Sequence, residues 1–197
     1  MAVNQTAIDR LKLDEAFVGK MIHRAFNECW TVKCDEKLTV VDDNSTKISR
    51  FGNDNDSTEH ALVVFNDNRC EIVLLAIDNQ LLKAIEGGVA DCALFDDKQF
   101  RFVEFKTNAE GKSAKSQQKT FDKATNQLKN TIQVFKDSLQ TVGVQFKDAV
   151  AVRCHVVVSS HFPKSHAVMQ GYKYRFINEM GIDLNFSSET YWEESNK

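Results

Sequence analysis

Two short apolar runs, Val89 to Phe95 and Gln99 to Thr107, are joined by the polar tripeptide Asp96-Asp97-Lys98 and preceded by Gly87-Gly88. Turn residues at that spacing, between runs rich in strand-forming side chains, predict a β-hairpin centred on Asp97. Alternate side chains of a strand share a face, so Phe100, Phe102, Glu104 and Lys106 point one way and Arg101, Val103 and Phe105 the other. This strand begins apolar and ends in a carboxylate and an ammonium, where the sheet meets a loop; ligands of open α/β sheets commonly bind at such ends. Asp91, on the partner strand, is separated from Glu104 by twelve residues. The turn carries it back opposite the Glu104 to Lys106 segment, since cross-strand neighbours lie about 5 Å apart.

The remainder of the chain reads as helices and strands in alternation. Apolar positions at Ile8, Leu11, Leu13, Phe17, Val18, Met21, Ile22 and Phe26 predict a first helix from about Ile8 to Cys29. Residues 42 to 59, rich in Asp, Asn, Ser and Gly, predict a loop-rich excursion around one short strand near Lys47 to Phe51. Ala61 to Phe65 and Glu71 to Ile77 are predicted strands. Phe121, Ala124, Leu128, Ile132, Phe135 and Leu139 recur every three or four residues, the stripe of a long helix packed on a sheet, with Gly143 past its end. Ala149 to Ser159 is continuously apolar, as in a strand buried on both faces between parallel neighbours or under helices. Pro163 marks a helix start, Ala167 to Met180 continues that helix to Gly181, and Ile182 to Phe186 offers a last small strand before a frayed tail, Glu193 to Lys197.

Asp91, Glu104 and Lys106 have a clear chemical use together. Two carboxylates and a main-chain carbonyl, that of Phe105, are hard oxygen ligands of the kind Mg²⁺ accepts while keeping several waters. A divalent ion there makes an attacking water more acidic and offsets charge on a phosphodiester oxygen. Lys106 beside it can orient that water or stabilise the transition state.

Gly88-Val89-Ala90-Asp91, then Phe102-Val103-Glu104-Phe105-Lys106, then the helical Lys123-Ala124-Thr125-Asn126-Gln127-Leu128, resembles the PD-(D/E)XK nuclease superfamily over about half of the chain. The resemblance implies a restriction-endonuclease-like αβββαβ core within one domain spanning 1–197: an α/β fold with a mixed central sheet flanked by helices. It implies Mg²⁺ or Mn²⁺ as cofactor, held by Asp91, Glu104 and the Phe105 carbonyl, and a supporting Gln127. Ala90 stands where the family usually has proline. For an upstream acid the candidates are Glu15, Asp78 and Glu86, of which Glu86 is chosen as the supporting residue.

The implied activity is metal-dependent hydrolysis of phosphodiester bonds in DNA. The alternative is a catalytically inactive nuclease-fold protein that binds protein or nucleic acid. An E-x-K triplet alone is commonplace in a chain with 27% charged residues, usually as a solvated ion pair. Its placement opposite an Asp at the end of an apolar hairpin carries the information. Between Lys106 and Lys136 seven lysines face only Glu110 and Asp122. Lys112, Lys115, Lys119 and Lys123 are the candidate nucleic-acid contacts, although such a run is often a plain solvated helix face.

A net charge of −3, with 25 basic and 28 acidic residues, excludes a dedicated polyanion binder. Any nucleic-acid surface is therefore local. The apolar runs are far below the roughly 20 residues of a membrane span, and the N-terminus lacks an export signal, so the expected setting is cytoplasmic, with no membrane partner and with room for a homodimer. Five scattered cysteines suit reduced thiols, and Cys29 with Cys34 lacks the second ligand pair that structural zinc wants. His155, inside an apolar strand, is expected to be a hydrogen-bonded core residue, and the tyrosines near His161 to Arg175 are expected to pack rather than stack on bases.

Overall fold

A computed structural model of the chain describes residues 5–19, 25–43, 45–83, 85–109, 113–162 and 167–192. Among the described residues five α-helices, α1 (Gln5–Leu11), α2 (Leu13–Phe17), α3 (Ala114–Thr141), α4 (Phe146–Ala149) and α5 (Ala167–Met180), accompany ten strands. The strands are β1 (Trp30–Lys33), β2 (Lys37–Asp43), β3 (Ile48–Phe51), β4 (Leu62–Phe65), β5 (Ile72–Ala76), β6 (Cys92–Phe95), β7 (Gln99–Phe105), β8 (Ala151–Val157), β9 (Asp183–Phe186) and β10 (Glu189–Tyr191). They form a six-stranded sheet in the order β1-β5-β6-β7-β8-β9 and a four-stranded sheet in the order β10-β4-β2-β3. Both sheets are mixed. In the larger, β1, β5, β6 and β7 run antiparallel in turn, and β8 and β9 continue parallel to β7. In the smaller, β10 joins β4 in parallel, while β4, β2 and β3 alternate in direction. The protein is mixed α/β, with helices flanking the sheets.

The central strands β5, β6 and β7 of the larger sheet are buried on both faces, which explains their largely apolar runs. Val73 and Leu75 of β5 face the helices, and Ile72, Leu74 and Ala76 face the second sheet. On the helix side Phe100 stacks on Phe95 with centroids 4.7 Å apart and meets Phe146 edge-on at 5.1 Å, while Phe102 meets Phe135 of α3 edge-on at 5.0 Å. Between the sheets lie Leu38, Val40, Leu62, Val64, Leu94, Val103, Phe105 and Trp192. Fully buried side chains of this size each stabilise by about 1.5–3 kcal/mol. Trp192 Nε1 donates to Asp96 Oδ2 at 2.7 Å, and the Arg101 guanidinium lies 5.2 Å over its ring, so the end of the chain fastens one sheet to the other.

The expected hairpin closes as predicted, with Cys92 opposite Val103 and Phe95 opposite Phe100. The long helix and the helix Ala167–Met180 also stand where the periodicity puts them, and Gly143 and Gly181 take the left-handed conformations (φ 79° and 61°) expected beyond helix ends. The first helix differs from expectation: Lys12, left-handed at φ 49°, divides it after Leu11, its second part ends at Phe17, Phe26 lies in a separate short turn, and Met21 and Ile22 lie outside the described residues. Leu11 and Leu13 are both fully buried, and residues two apart in a continuous helix cannot face the same side. The break lets both enter the core. The excursion at 42 to 59 also needs correction, because Asp42 and Asp43 end β2, which pairs with β3 and β4. Pro163 and the tail from Glu193 lie outside the described residues. His155 is a buried core histidine, its Nε2 2.8 Å from Ser187 O, and burial pushes its pKa down to about 3, so the ring is neutral. All five cysteines are free.

Candidate metal centre

The segment leading into Asp91 is gripped by one face of α3. Gly87 and Gly88 are left-handed (φ 83° and 80°), and a Cβ on Gly88 would come within 3.0 Å of the Gln127 side chain. Asn130 Nδ2 donates to Glu86 O and Gly88 O at 3.3 Å, Gln127 Nε2 donates to Val89 O at 2.9 Å, and Thr131 Oγ1 accepts from Ala90 N at 2.7 Å. Asp91 is held from the other side too: its main-chain carbonyl accepts from Ile77 N at 3.0 Å and Asp78 N at 3.2 Å, tying the end of β5 to the start of β6. Its carboxylate accepts from Phe105 N at 2.6 Å. That bond spans the hairpin and places Asp91 against the end of β7.

Glu104 is fully buried, following Phe100 and Phe102 on the helix-facing side of β7. One of its oxygens, Oε1, accepts from Lys106 Nζ; the other, Oε2, is buried with no hydrogen-bond partner. Lys106 lies just past the strand, half-buried, its N–H bonded to Val157 O at 2.7 Å. Burial pushes the Asp91 carboxyl up to about 7, against the lowering pull of the Phe105 N–H and with a further push from Asp42. Glu104 is raised well above the usual carboxylate range, first by burial and then by the neighbouring Asp91, more than Lys106 offsets.

Asp78 and Asp42 complete the surroundings. Both are half-buried, both are pushed upward chiefly by burial, and both bear electrostatically on Asp91. Glu86, by contrast, is exposed on the turn before Gly87, and it is not among the groups that bear on Asp91 or Glu104. Glu15 is exposed on α2. Asp42 escapes sequence reasoning because it ends β2, a strand of the other sheet. The only local signal is its alternation with Leu38 and Val40, which a loop assignment conceals.

Beside these residues opens a cavity of about 660 Å³ walled by Asp78, Gly87, Gly88, Lys123, Asn126 and Gln127. Gln127 is buried rather than solvated, and its Oε1 has no hydrogen-bond partner. Lys115, Lys119 and Lys123 are exposed at four-residue intervals on α3, a row that ends at this cavity. Lys112 lies outside the described residues. Tyr172 packs as expected, its hydroxyl donating to Asp122 Oδ1 at 2.5 Å.

Among the described residues, no three His, Cys, Asp or Glu side chains group closely enough to hold a metal ion together. The buried carboxylates that the end of the hairpin brings side by side are those of Asp91 and Glu104. A hard cation that keeps most of its waters needs no more than one or two carboxylates, and the partnerless Glu104 Oε2 is an acceptor of the kind it takes up. No protein-family model, curated protein or solved structure matches the chain. Among the described residues no helix is long and apolar enough to cross a membrane.

Proposed function

We infer that the chain is a metal-dependent nuclease of the PD-(D/E)XK kind. The observation that carries this reading is the pairing of Asp91 and Glu104 across one hairpin, with a buried, partnerless carboxylate oxygen on Glu104 and Lys106 beside it. The order of elements supports it: three consecutive antiparallel strands β5, β6 and β7, then α3, then β8 parallel to β7, the sequence of a restriction-endonuclease-like core. Asp91, Glu104 and the Phe105 carbonyl are the groups that would hold Mg²⁺ or Mn²⁺. When bound, such an ion supplies Lewis-acid chemistry, acidifying the attacking water and offsetting charge on the phosphodiester.

The chain's own residues have distinct tasks. Asp91 is held in place by the Phe105 N–H and the Gln127-supported turn. Lys106 neutralises one Glu104 oxygen in the resting protein and is placed to stabilise negative charge on a reacting phosphate. Lys115, Lys119 and Lys123 offer phosphate contacts leading to the cavity. DNA is the proposed substrate.

A second reading, a non-catalytic nuclease-fold binding module, is favoured by one feature: both carboxylates already engage internal donors, Phe105 N–H and Lys106. Incubating the purified chain with plasmid and single-stranded DNA, with Mg²⁺ or Mn²⁺ and then with chelator, separates the two. Cleavage that needs the metal and disappears in a folded Glu104→Ala variant supports the nuclease. Absence of cleavage on all DNA and RNA substrates supports the binding module.

A further inference from the structure

Most polar side chains along the middle of α3 are engaged within the protein: Asp122 with Tyr172, Lys129 with Glu179, Asn130 with the Glu86 and Gly88 carbonyls, and Gln133 with Asp137. Those that wall the cavity of about 660 Å³ are not. Lys123 and Asn126 are exposed there, and among the described residues neither has a hydrogen-bond partner. Gln127, only 8% exposed, commits its Nε2 to Val89 O and leaves Oε1 buried without a partner. Asp78 adds a half-buried carboxylate to the same walls, and no side chain among the described residues donates to it.

The cavity adjoins the hairpin through the main chain. Asp78 N donates to Asp91 O at 3.2 Å, and the Val89 carbonyl held by Gln127 lies two residues before Asp91. Its volume falls within the roughly 300–1,000 Å³ of small-ligand sites. Gly87 and Gly88, both left-handed, leave one wall to main-chain atoms. Recessed acceptors that lack donors favour a ligand that brings donors. A carboxylate takes two parallel N–H bonds best. Among the four DNA bases only guanine offers two adjacent donors, N1–H and the 2-amino group, with an acceptor, O6, beside them. Adenine and cytosine set an acceptor nitrogen next to their amino group, and the one N–H of thymine lies between two carbonyls.

We propose that this cavity is a recognition site for an unpaired guanine of a DNA strand: Asp78 accepts from N1–H and the 2-amino group, the Asn126 amide donates to O6, and Lys123 meets the phosphate of the same nucleotide. The proposal rests on the reading of the chain as a protein that acts on DNA, and it gives that reading a sequence preference, a guanine beside the phosphate that reaches Asp91 and Glu104. In a duplex the N1–H of guanine is taken up by cytosine, so the base enters only from a single-stranded segment. A base without the two donors leaves the Asp78 carboxylate recessed and unpaired, and that cost is the source of the discrimination.

The test is fluorescence anisotropy on the full chain in chelator, with short labelled oligothymidines carrying at their centre thymine, guanine or hypoxanthine, the last being guanine without its 2-amino group. The guanine oligomer is expected to bind about 10–100-fold more tightly than the all-thymine one, and hypoxanthine to lose most of that gain. Asp78→Asn, which replaces one acceptor by a donor, removes the preference and leaves all-thymine binding unchanged. Asn126→Ala, at an exposed helix position, weakens the guanine oligomer about 3–10-fold. Equal binding of the guanine and all-thymine oligomers by wild type, failure to bind any of them, or a preference that survives Asp78→Asn overturns the proposal. Should Asp78→Asn not fold, unchanged guanine affinity in Asn126→Ala overturns it instead. Cleavage of the same oligomers with Mn²⁺ separates this proposal from the nuclease reading: metal-dependent cleavage without guanine preference overturns the guanine site and leaves the nuclease, whereas guanine preference without cleavage of any substrate supports the site on a binding module and overturns the nuclease.

Discussion

Replacing Asp91 by asparagine should stabilise the metal-free protein at alkaline pH, and the size of the gain follows from its surroundings. Burial, with a push from Asp42, raises the Asp91 carboxyl from the ordinary 3.8 to about 7. At ~1.4 kcal/mol for each tenfold change in ionisation, holding it charged inside the fold costs on the order of 4 kcal/mol. A carboxyl raised in this way leaves stability intact below about pH 4, where folded and unfolded chains both hold the proton, and erodes it as pH climbs through 7. Asparagine has nearly the same shape, and its side-chain oxygen can still accept from Phe105 N, which Asp91 meets at 2.6 Å. Urea unfolding in chelator should therefore find Asp91→Asn about 2–4 kcal/mol more stable than wild type at pH 8, and within about 1 kcal/mol of it at pH 4. A variant less stable than wild type at pH 8 would refute the reasoning, because it would show the charged carboxylate to be satisfied within the fold. Sites that trade stability for chemistry commonly behave in the predicted way.

Other parts of the structure make separate predictions. Trp192→Phe keeps a ring between the sheets but strands the buried Asp96 Oδ2, which should cost about 2 kcal/mol and lower the melting temperature by roughly 4–8 °C; a shift under 1 °C would show the bond to be dispensable. Gly88→Ala forces a side chain into a left-handed position 3.0 Å from Gln127 and should destabilise by about 1–3 kcal/mol in thermal melting, with no change expected for Ala at the open position Gly171 beyond helix propensity. Lys119→Ala with Lys123→Ala should weaken single-stranded DNA binding in fluorescence anisotropy and reduce the slope of log affinity against log salt by about 1–2. An unchanged slope would move the nucleic-acid path off α3.

Much of this architecture was readable because strong local signals agree with tertiary context. The tight turn at Asp96 to Lys98, the unbroken apolar runs of β5 and β6, and the three-and-four spacing on α3 each reflect burial on a definite face. The juxtaposition of Asp91 with the end of β7 follows from hairpin register alone. Features set by long-range contact were not readable. Lys12 breaks the first helix because Leu11 and Leu13 are both drawn into the core, which propensity does not encode. β1 and β2 are short, partly polar strands that exist through pairing with β5 and with β3 and β4. Since β2 went unseen, so did Asp42. Gln127, ambiguous on the helix surface, gains its meaning only from the Val89 carbonyl that it holds.

Anomalous scattering from a crystal soaked in Mn²⁺ would examine the centre without reference to any substrate. Asp91 and Glu104 predict a peak within about 2.0–2.3 Å of an oxygen from each carboxylate, with Lys106 adjacent. Clear density for both side chains at saturating Mn²⁺, with no peak between them, would contradict the metal centre and the hydrolytic chemistry built on it.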